Sequence, residues 1–322
     1  METNARLYII LHARGICNRK MMLPDRGPAC RKKERHTMKI LMIGAHQDDM
    51  EFQGSGTAMH FCRLGHEVRV LSMANGCGGH HILSPEETSR VRREESRRVG
   101  EILGIRYDVC DDVDDCTIVA DIPSRRRLTR YIREYSPDLI ITHRPNDYHT
   151  DHRNTGLLVQ DVAYLLTVPH ECPDVPAMRF MPVIMYFEDT FRYPPFEADV
   201  VVDTDEFLEK KLEVADANAS QVYEWLPYTY GQEVPPESDR EGRLAFLRGP
   251  SVDGMTDGEI LAADENSGYV LLYAKTASRH RQKLIERYGE ERGRRVRTAE
   301  AFMVCEYGAP LTEEKRHLFF PF

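Results

Sequence analysis

The sequence predicts an α/β fold, a Rossmann-like, doubly wound and mostly parallel sheet with helices on both faces. Three observations predict it. The run 39–45 (KILMIGA) is short and apolar and is bounded by a glycine and polar residues, the pattern of a strand buried on both faces. A second run of the same kind, 138–142 (DLIIT), lies far along the chain. Between the two, strand-like and amphipathic helix-like segments alternate, which is the order that builds a parallel sheet. No GxGxxG follows the first run, so a dinucleotide cofactor is not indicated.

Each element has its own local reason. Residues 54–64 read as a helix opened by Gly54, Ser55 and Gly56, whose first amides point toward the strand ends. Residues 67–73 (EVRVLSM) form the second strand, and 74–82 form its loop. Ser84 or Glu86 begins a long helix to Leu103, with Val91, Val99, Ile102 and Leu103 inward and the charges of RVRREESRR on a solvated face. Residues 106–117 give a strand and an acidic turn; Asp111, Asp112, Asp114 and Asp115 lack the glycine and distal glutamate of an EF-hand loop. Helices at 122–135 and 154–166 flank the strand 138–142, and a Pro-rich loop spans 169–182. Strands follow at 183–187 and 200–202, then a helix at 205–223 with Thr204 or Asp205 as its cap. The stretch 226–264, rich in Pro, Gly, aromatic and acidic residues, shows no steady period and suits a lid, an oligomer contact or a plain surface excursion. A basic helix of mixed charge covers 277–297.

Composition narrows the function classes. The 322 residues, 41% of them hydrophobic and 30% charged, are ordinary for a globular enzyme with a sizeable core. A formal charge of -9 argues against a nucleic-acid partner, and no apolar stretch approaches the ~20 residues of a membrane span. Eight cysteines at irregular spacing, with no CxxC pair, form neither a disulfide framework nor a cysteine zinc site and read as thiols of a cytoplasmic protein.

The chemistry gathers at the ends of the two apolar runs. After the first stand His46, Asp48 and Asp49; imidazole nitrogen and carboxylate oxygen at one strand end suit a divalent metal. The same residues also suit a helix start capped by Asp48 or Asp49. After the second run comes HRPNDYHTDHR, which places His149, Asp151 and His152 at the end of another strand. Two such clusters at one sheet edge make a metal site the better explanation.

These residues carry a resemblance. The segment 44–51 is similar to the AHPDDxE signature of the PIG-L, or LmbE-like, family of zinc-dependent N-acetylglucosaminyl deacetylases, and 149–152 to its HxDH element. Arg92, Arg93 and Glu95 resemble the family's arginine-rich helix, 211–221 its lysine-containing helix ending in Ser-Gln, and 299–308 (AEAFMVCEYG) its closing segment. Gln47 departs from the family's proline, which bears on the stiffness of the turn and leaves the ligands intact. The resemblance implies one domain over 38–308 with an insertion at about 223–285; the basic, Pro- and Cys-containing segment 1–37, without a signal-peptide core, reads as a disordered extension from an over-called start codon, and 309–322 as a C-terminal tail.

The family pattern implies His46, Asp49 and His152 as zinc ligands, with Fe2+ or Co2+ also suited to such a set, and Asp48 as general base. His149 then serves as oxyanion donor or general acid, and Asp151 orients one of the histidines. Arg92, Arg144, Asn146 and Asp147 are candidates for contacting a sugar, the last three equally suited to a turn. The expected reaction is removal of an N-acetyl group from an N-acetylglucosamine-type small molecule by a cytoplasmic hydrolase, as a monomer or homo-oligomer. Two alternatives stand beside it: an amidase for a larger N-acyl or thiol-sugar conjugate, and a metal-dependent sugar-binding protein without hydrolysis. Met38 directly precedes the first strand, so a chain beginning there is expected to keep the thermal melting temperature and activity of the full chain; an insoluble or inactive product would contradict the reading of 1–37.

Overall fold

A computed structural model of the protein describes residues 37–322, so the expectation of a disordered extension falls, except for Thr37, outside the described residues. The first apolar run forms β1 (Lys39–Gly44), buried along nearly its whole length. Its side chains alternate as a pleated strand requires: Ile40 and Met42 enter the core under one face of the sheet, Leu41 and Ile43 the core under the other. β1 is paired in parallel with β2 (Glu67–Ser72) on one side and β4 (Leu139–Thr142) on the other. β3 (Arg106–Val109) lies beyond β2, and β5 (Val183–Phe187) beyond β4. β6 (Val200–Asp203) and β7 (Ala299–Val304) complete the order β3-β2-β1-β4-β5-β7-β6, with β7 antiparallel to both its neighbours. Chain direction through the sheet reverses between β1 and β4, and a crevice opens at the carboxyl ends of strands flanking such a switch.

The helices follow the capping signals where these are local. α1 (Asp49–Gln53) and α2 (Ser55–Arg63) are one helix interrupted at Gly54, and the start lies earlier than the glycine-rich triplet suggested. α3 (Pro85–Leu103) opens on Ser84 in a reciprocal box with Glu87. α4 (Ile122–Tyr135) is capped by Asp121. α5 (Thr150–Leu165) begins before the expected residue 154, because the His149 side chain itself supplies the cap.

Beyond the parallel half the expectations needed more correction. The single helix expected at 205–223 is a 3-10 turn, then α6 (Leu208–Ala217), a break at Asn218, and a π turn over Gln221–Trp225. The stretch without a period contains α7 (Leu226–Tyr230), α8 (Arg240–Arg248) and α9 (Asp257–Ala262), each too short to show a helical repeat in the sequence. The basic helix is three pieces: the end of α10 (Tyr269–Arg279), α11 (Arg281–Tyr288) and α12 (Glu290–Arg295), separated at His280 and Gly289. This half has a core of its own, in which Leu212, Val222, Leu247, Ile260 and Leu271 are buried together. The C-terminal segment carries α13 (Glu313–Phe319) and buries Phe319 and Phe320 against the sheet, so it packs as part of the fold. Among the described residues no helix is long and apolar enough to cross a membrane.

One buried ion pair joins α6 to the antiparallel edge of the sheet. Lys211 on α6 meets Glu300 on β7, both shielded from water. Glu300 also accepts the amides of Gly56 and Thr57 at 2.8 and 2.7 Å, tying down the start of α2. Burial works to raise the Glu300 pKa, but Lys211 and the Thr57 contacts outweigh it and hold it below the usual value. Burial lowers that of Lys211, with Glu300 as the opposing influence. Removing one member strands the other charge, so Lys211→Met is expected to lower unfolding stability by about 3–5 kcal/mol in urea titration. The double variant K211M/E300Q should regain part of that loss.

Candidate active site

Ile43 and Thr142 are register partners, so the segments leaving β1 and β4 emerge side by side. Asp49, in the first turn of α1, turns its carboxylate back to accept the His46 amide at 2.8 Å. His143, the first residue past β4, donates from Nε2 to the same carboxylate oxygen at 2.8 Å. Its ring stacks on that of His152, with centroids 4.0 Å apart. Burial works to raise the Asp49 pKa, but the charges of His152, His143 and His46 prevail and hold it well below the carboxylate range.

The proton positions of two imidazoles follow from their outer partners. His46 Nε2 lies 3.1 Å from Asp151, and His152 Nδ1 lies 3.0 Å from Asp147. A carboxylate can only accept, so each ring, when neutral, carries its proton outward and turns a lone pair inward. Those inward nitrogens, His46 Nδ1 and His152 Nε2, stand 3.3 Å apart. Asp49 completes the group, 3.3 Å from His152 Nε2 and 4.0 Å from His46 Nδ1. Bonds of 2.0–2.1 Å to a tetrahedral zinc imply ligand atoms roughly 3.3 Å apart; the two imidazole nitrogens and the His152–Asp49 Oδ1 pair have that spacing, and Asp49 Oδ2 stands farther from His46, so the donors fit such an ion in type and two of the three separations fit it in spacing. Burial works to lower both imidazole pKa values, yet the carboxylates outweigh it: His152 is raised to about 9, chiefly by Asp49 and Asp147, and His46 is raised through Asp151 and Asp49. Positive charge is what the cluster attracts.

The remaining predicted residues separate into those at the cavity and those away from it. A cavity of about 390 Å³ has His46, Asp48, Asp49, Asp147, His149 and His152 on its floor. Asp48 stands at the start of α1 without a capping hydrogen bond and is paired with Arg92 at 3.0 Å, so the capping alternative does not hold for it. Burial works to lower the pKa of Arg92, and Asp48 and Asp115 raise it by more. His149 accepts the Asp151 amide on Nδ1 at 3.1 Å, which leaves its proton on Nε2. Burial and the neighbouring imidazoles lower its pKa, favouring the neutral ring. Its nitrogens also approach those of His46 and His152 within 4.8 Å, so His149 borders the same ion position. Asp151 is fully buried, where besides His46 it accepts the Cys116 and Ile118 amides at 2.6 and 3.3 Å.

Two sugar-contact expectations need correction and one needs reassignment. Arg144 is buried away from the cavity, paired with Asp189 and donating to the Pro194 and Pro195 carbonyls at 3.0 Å each, because a buried guanidinium must satisfy its donors. Asn146 does not line the cavity either. Asp147 does, but its carboxylate holds His152 and the His149 amide.

His143 had no role assigned from the sequence; its signal was its place directly after an apolar strand. Asp115 was read as part of a solvated turn, yet it accepts the Gly76 and Gly78 amides at 2.8 and 3.1 Å and lines the cavity. The segments around the site interlock: Glu95 holds the Ser220 amide and hydroxyl at 2.7 Å each, and Gln221 donates to the Gly79 carbonyl at 3.0 Å. Gln47 is fully buried with no protein partner for its amide group. It fits because position 76 is glycine: φ there is +78°, and a Cβ would come within 2.5 Å of Gln47 Oε1.

Residues 41–163 match the family model described as PIG-L, GlcNAc-PI de-N-acetylase. A diacetylchitobiose deacetylase of Thermococcus kodakarensis is 29% identical over 125 residues, 37% of this chain and 47% of the relative; the chain thus spans about half the length of that curated relative. The N,N'-diacetylchitobiose deacetylase of Pyrococcus horikoshii shares the fold with a TM-score of 0.60 at 19% identity, over 84% of this chain and 85% of its own. So does the 4-carboxy-2-hydroxymuconate hydratase GalB of Pseudomonas putida, with a TM-score of 0.61 at 17% identity over 86% and 99%. The fold is therefore common to a deacetylase and a hydratase, and the reaction must be argued from the site.

His143→Phe keeps the ring stack on His152 and deletes the hydrogen bond to Asp49. It is expected to weaken zinc binding about 10–100-fold in calorimetric titration, with unchanged affinity contradicting the assigned network.

Proposed function

We propose that the chain is a metal-dependent hydrolase that removes the N-acetyl group from an N-acetylglucosamine-type sugar or sugar conjugate. The observation that carries this reading is the pair of imidazole nitrogens that face each other 3.3 Å apart beside Asp49, with Asp48 lining the same cavity. The match to the PIG-L family model and the likeness to a diacetylchitobiose deacetylase support the same choice of substrate.

His46, Asp49 and His152 would hold the ion, zinc first, with Fe2+ or Co2+ suited to the same donors. A divalent ion there supplies Lewis acidity, making water more acidic and the acyl carbonyl more electrophilic. The residues of the chain do the rest. Asp48 takes the proton of the attacking water, and the Arg92 guanidinium 3.0 Å away fixes its orientation. His149 offers its Nε2 proton to the carbonyl oxygen as negative charge develops there. When the C–N bond breaks, the proton held by Asp48 passes to the departing amine, so the products are acetate and a free amino sugar. Asp147 and Asp151 keep His152 and His46 turned with their lone pairs inward. A sugar-binding role without hydrolysis would have no use for Asp48 and His149 in these positions. The six described cysteines are all unpaired, and on that ground we assign the protein to the cytoplasm.

Asp48→Asn is expected to cut acetate release from N-acetylglucosamine and diacetylchitobiose about 10²–10⁴-fold, while elemental analysis finds the same zinc content as in the wild type. Undiminished turnover would rule out Asp48 as the base.

A further inference from the structure

The cavity extends beyond what the reaction uses. Its floor is polar, and the rest of its lining carries several aromatic rings among a few amide and aliphatic side chains. Phe52 lies one turn along α1 from Asp49, and the π turn brings Trp225, α8 brings Phe246 and the start of α10 brings Tyr269. Phe52 and Tyr269 are in ring contact at 5.1 Å between centroids, so the wall begins beside the ligand-bearing helix. Phe246 and Tyr269 share the cavity because the chain crosses itself at two glycines: a Cβ on Gly268 would lie 2.3 Å from Gly249 Cα. Apart from Phe52, these residues all belong to the stretch that follows the parallel half.

Resting on the deacetylase reading above, we propose that this wall is a subsite for a ring-shaped apolar group attached to the amino sugar, so that the substrate is an N-acetylglucosamine conjugate and not the free sugar. A volume of about 390 Å³ falls within the roughly 300–1000 Å³ of sites that enclose a drug-sized ligand. The shape of the lining selects the kind of group. Rings are flat and stiff and stack on other rings with little loss of freedom, whereas a long acyl chain is better enclosed by branched aliphatic side chains, which are the minority here. The acetyl group needs only the space at the floor.

The chain contains one tryptophan, Trp225, and it stands in this wall. Its fluorescence therefore reads occupation of the subsite without reference to turnover. The experiment titrates the zinc-loaded full chain with phenyl N-acetyl-β-D-glucosaminide, its methyl counterpart and N-octanoylglucosamine, and measures acetate release from the two glycosides in parallel. The phenyl glycoside is expected to saturate the Trp225 signal at a concentration at least tenfold below that of the methyl glycoside. Phe246→Ala should abolish the advantage and Phe246→Tyr should retain it, which separates loss of the subsite from loss of folding. Equal saturation by the two glycosides would overturn the proposal, and so would octanoylglucosamine binding more tightly than the phenyl glycoside. Preferential binding of the phenyl glycoside without acetate release from either glycoside would uphold the subsite and overturn the deacetylase reading alone.

Discussion

The carboxylate of Asp49 is the constraint from which the rest of the site follows. A buried anion at a strand end is unfavourable unless its surroundings answer it with positive charge and hydrogen-bond donors. Here the answer is a ring of imidazoles: His143 donates to it, His152 faces it, and His46 gives it a backbone amide. Those imidazoles must in turn be held with the correct nitrogen inward, which is the work of Asp147 and Asp151. The second of these is fully buried, where the Cys116 and Ile118 amides also reach it from the turn after β3. One negative charge thus organises segments from three strand ends.

The chemistry and the shape of the cavity come from different parts of the chain. The parallel half supplies every group assigned to the ion and to proton transfer, and the helices beyond Asn218 supply most of the enclosing wall. α6 sits between them, anchored through Lys211 to Glu300 and thereby to the start of α2. Such a division lets the wall vary while the floor stays as it is, which is how one fold comes to serve different substrates.

Much of the floor was legible because its signals are local. An apolar run followed at once by His46, Asp48 and Asp49, and another followed by His149, Asp151 and His152, put ligand-type residues at two strand ends, and β1 and β4 prove adjacent. What was not legible depended on direction and distance. Arg144 and Asp147 lie in the same turn, and nothing in that turn tells that one side chain goes to Asp189 and the other to His152. His143 gains its meaning only from Asp49, which is 94 residues away. The wall was invisible because its rings come from helices of five to eleven residues separated by glycine and proline, too short to register as a repeat.

The two facing nitrogens belong to residues 106 positions apart in the chain. Until β1 has met β4, a partly folded chain has His46 and Asp49 without His152, a pair with little hold on an ion. Closing a loop of that length is a late and costly step in folding. An ion held by the finished set would therefore bind the native chain and not its precursors, adding about 1.4 kcal/mol of stability for each tenfold rise above its dissociation constant. The amount of folded protein in a cell would then follow the supply of metal, with scarcity acting first on abundance through unfolding and degradation.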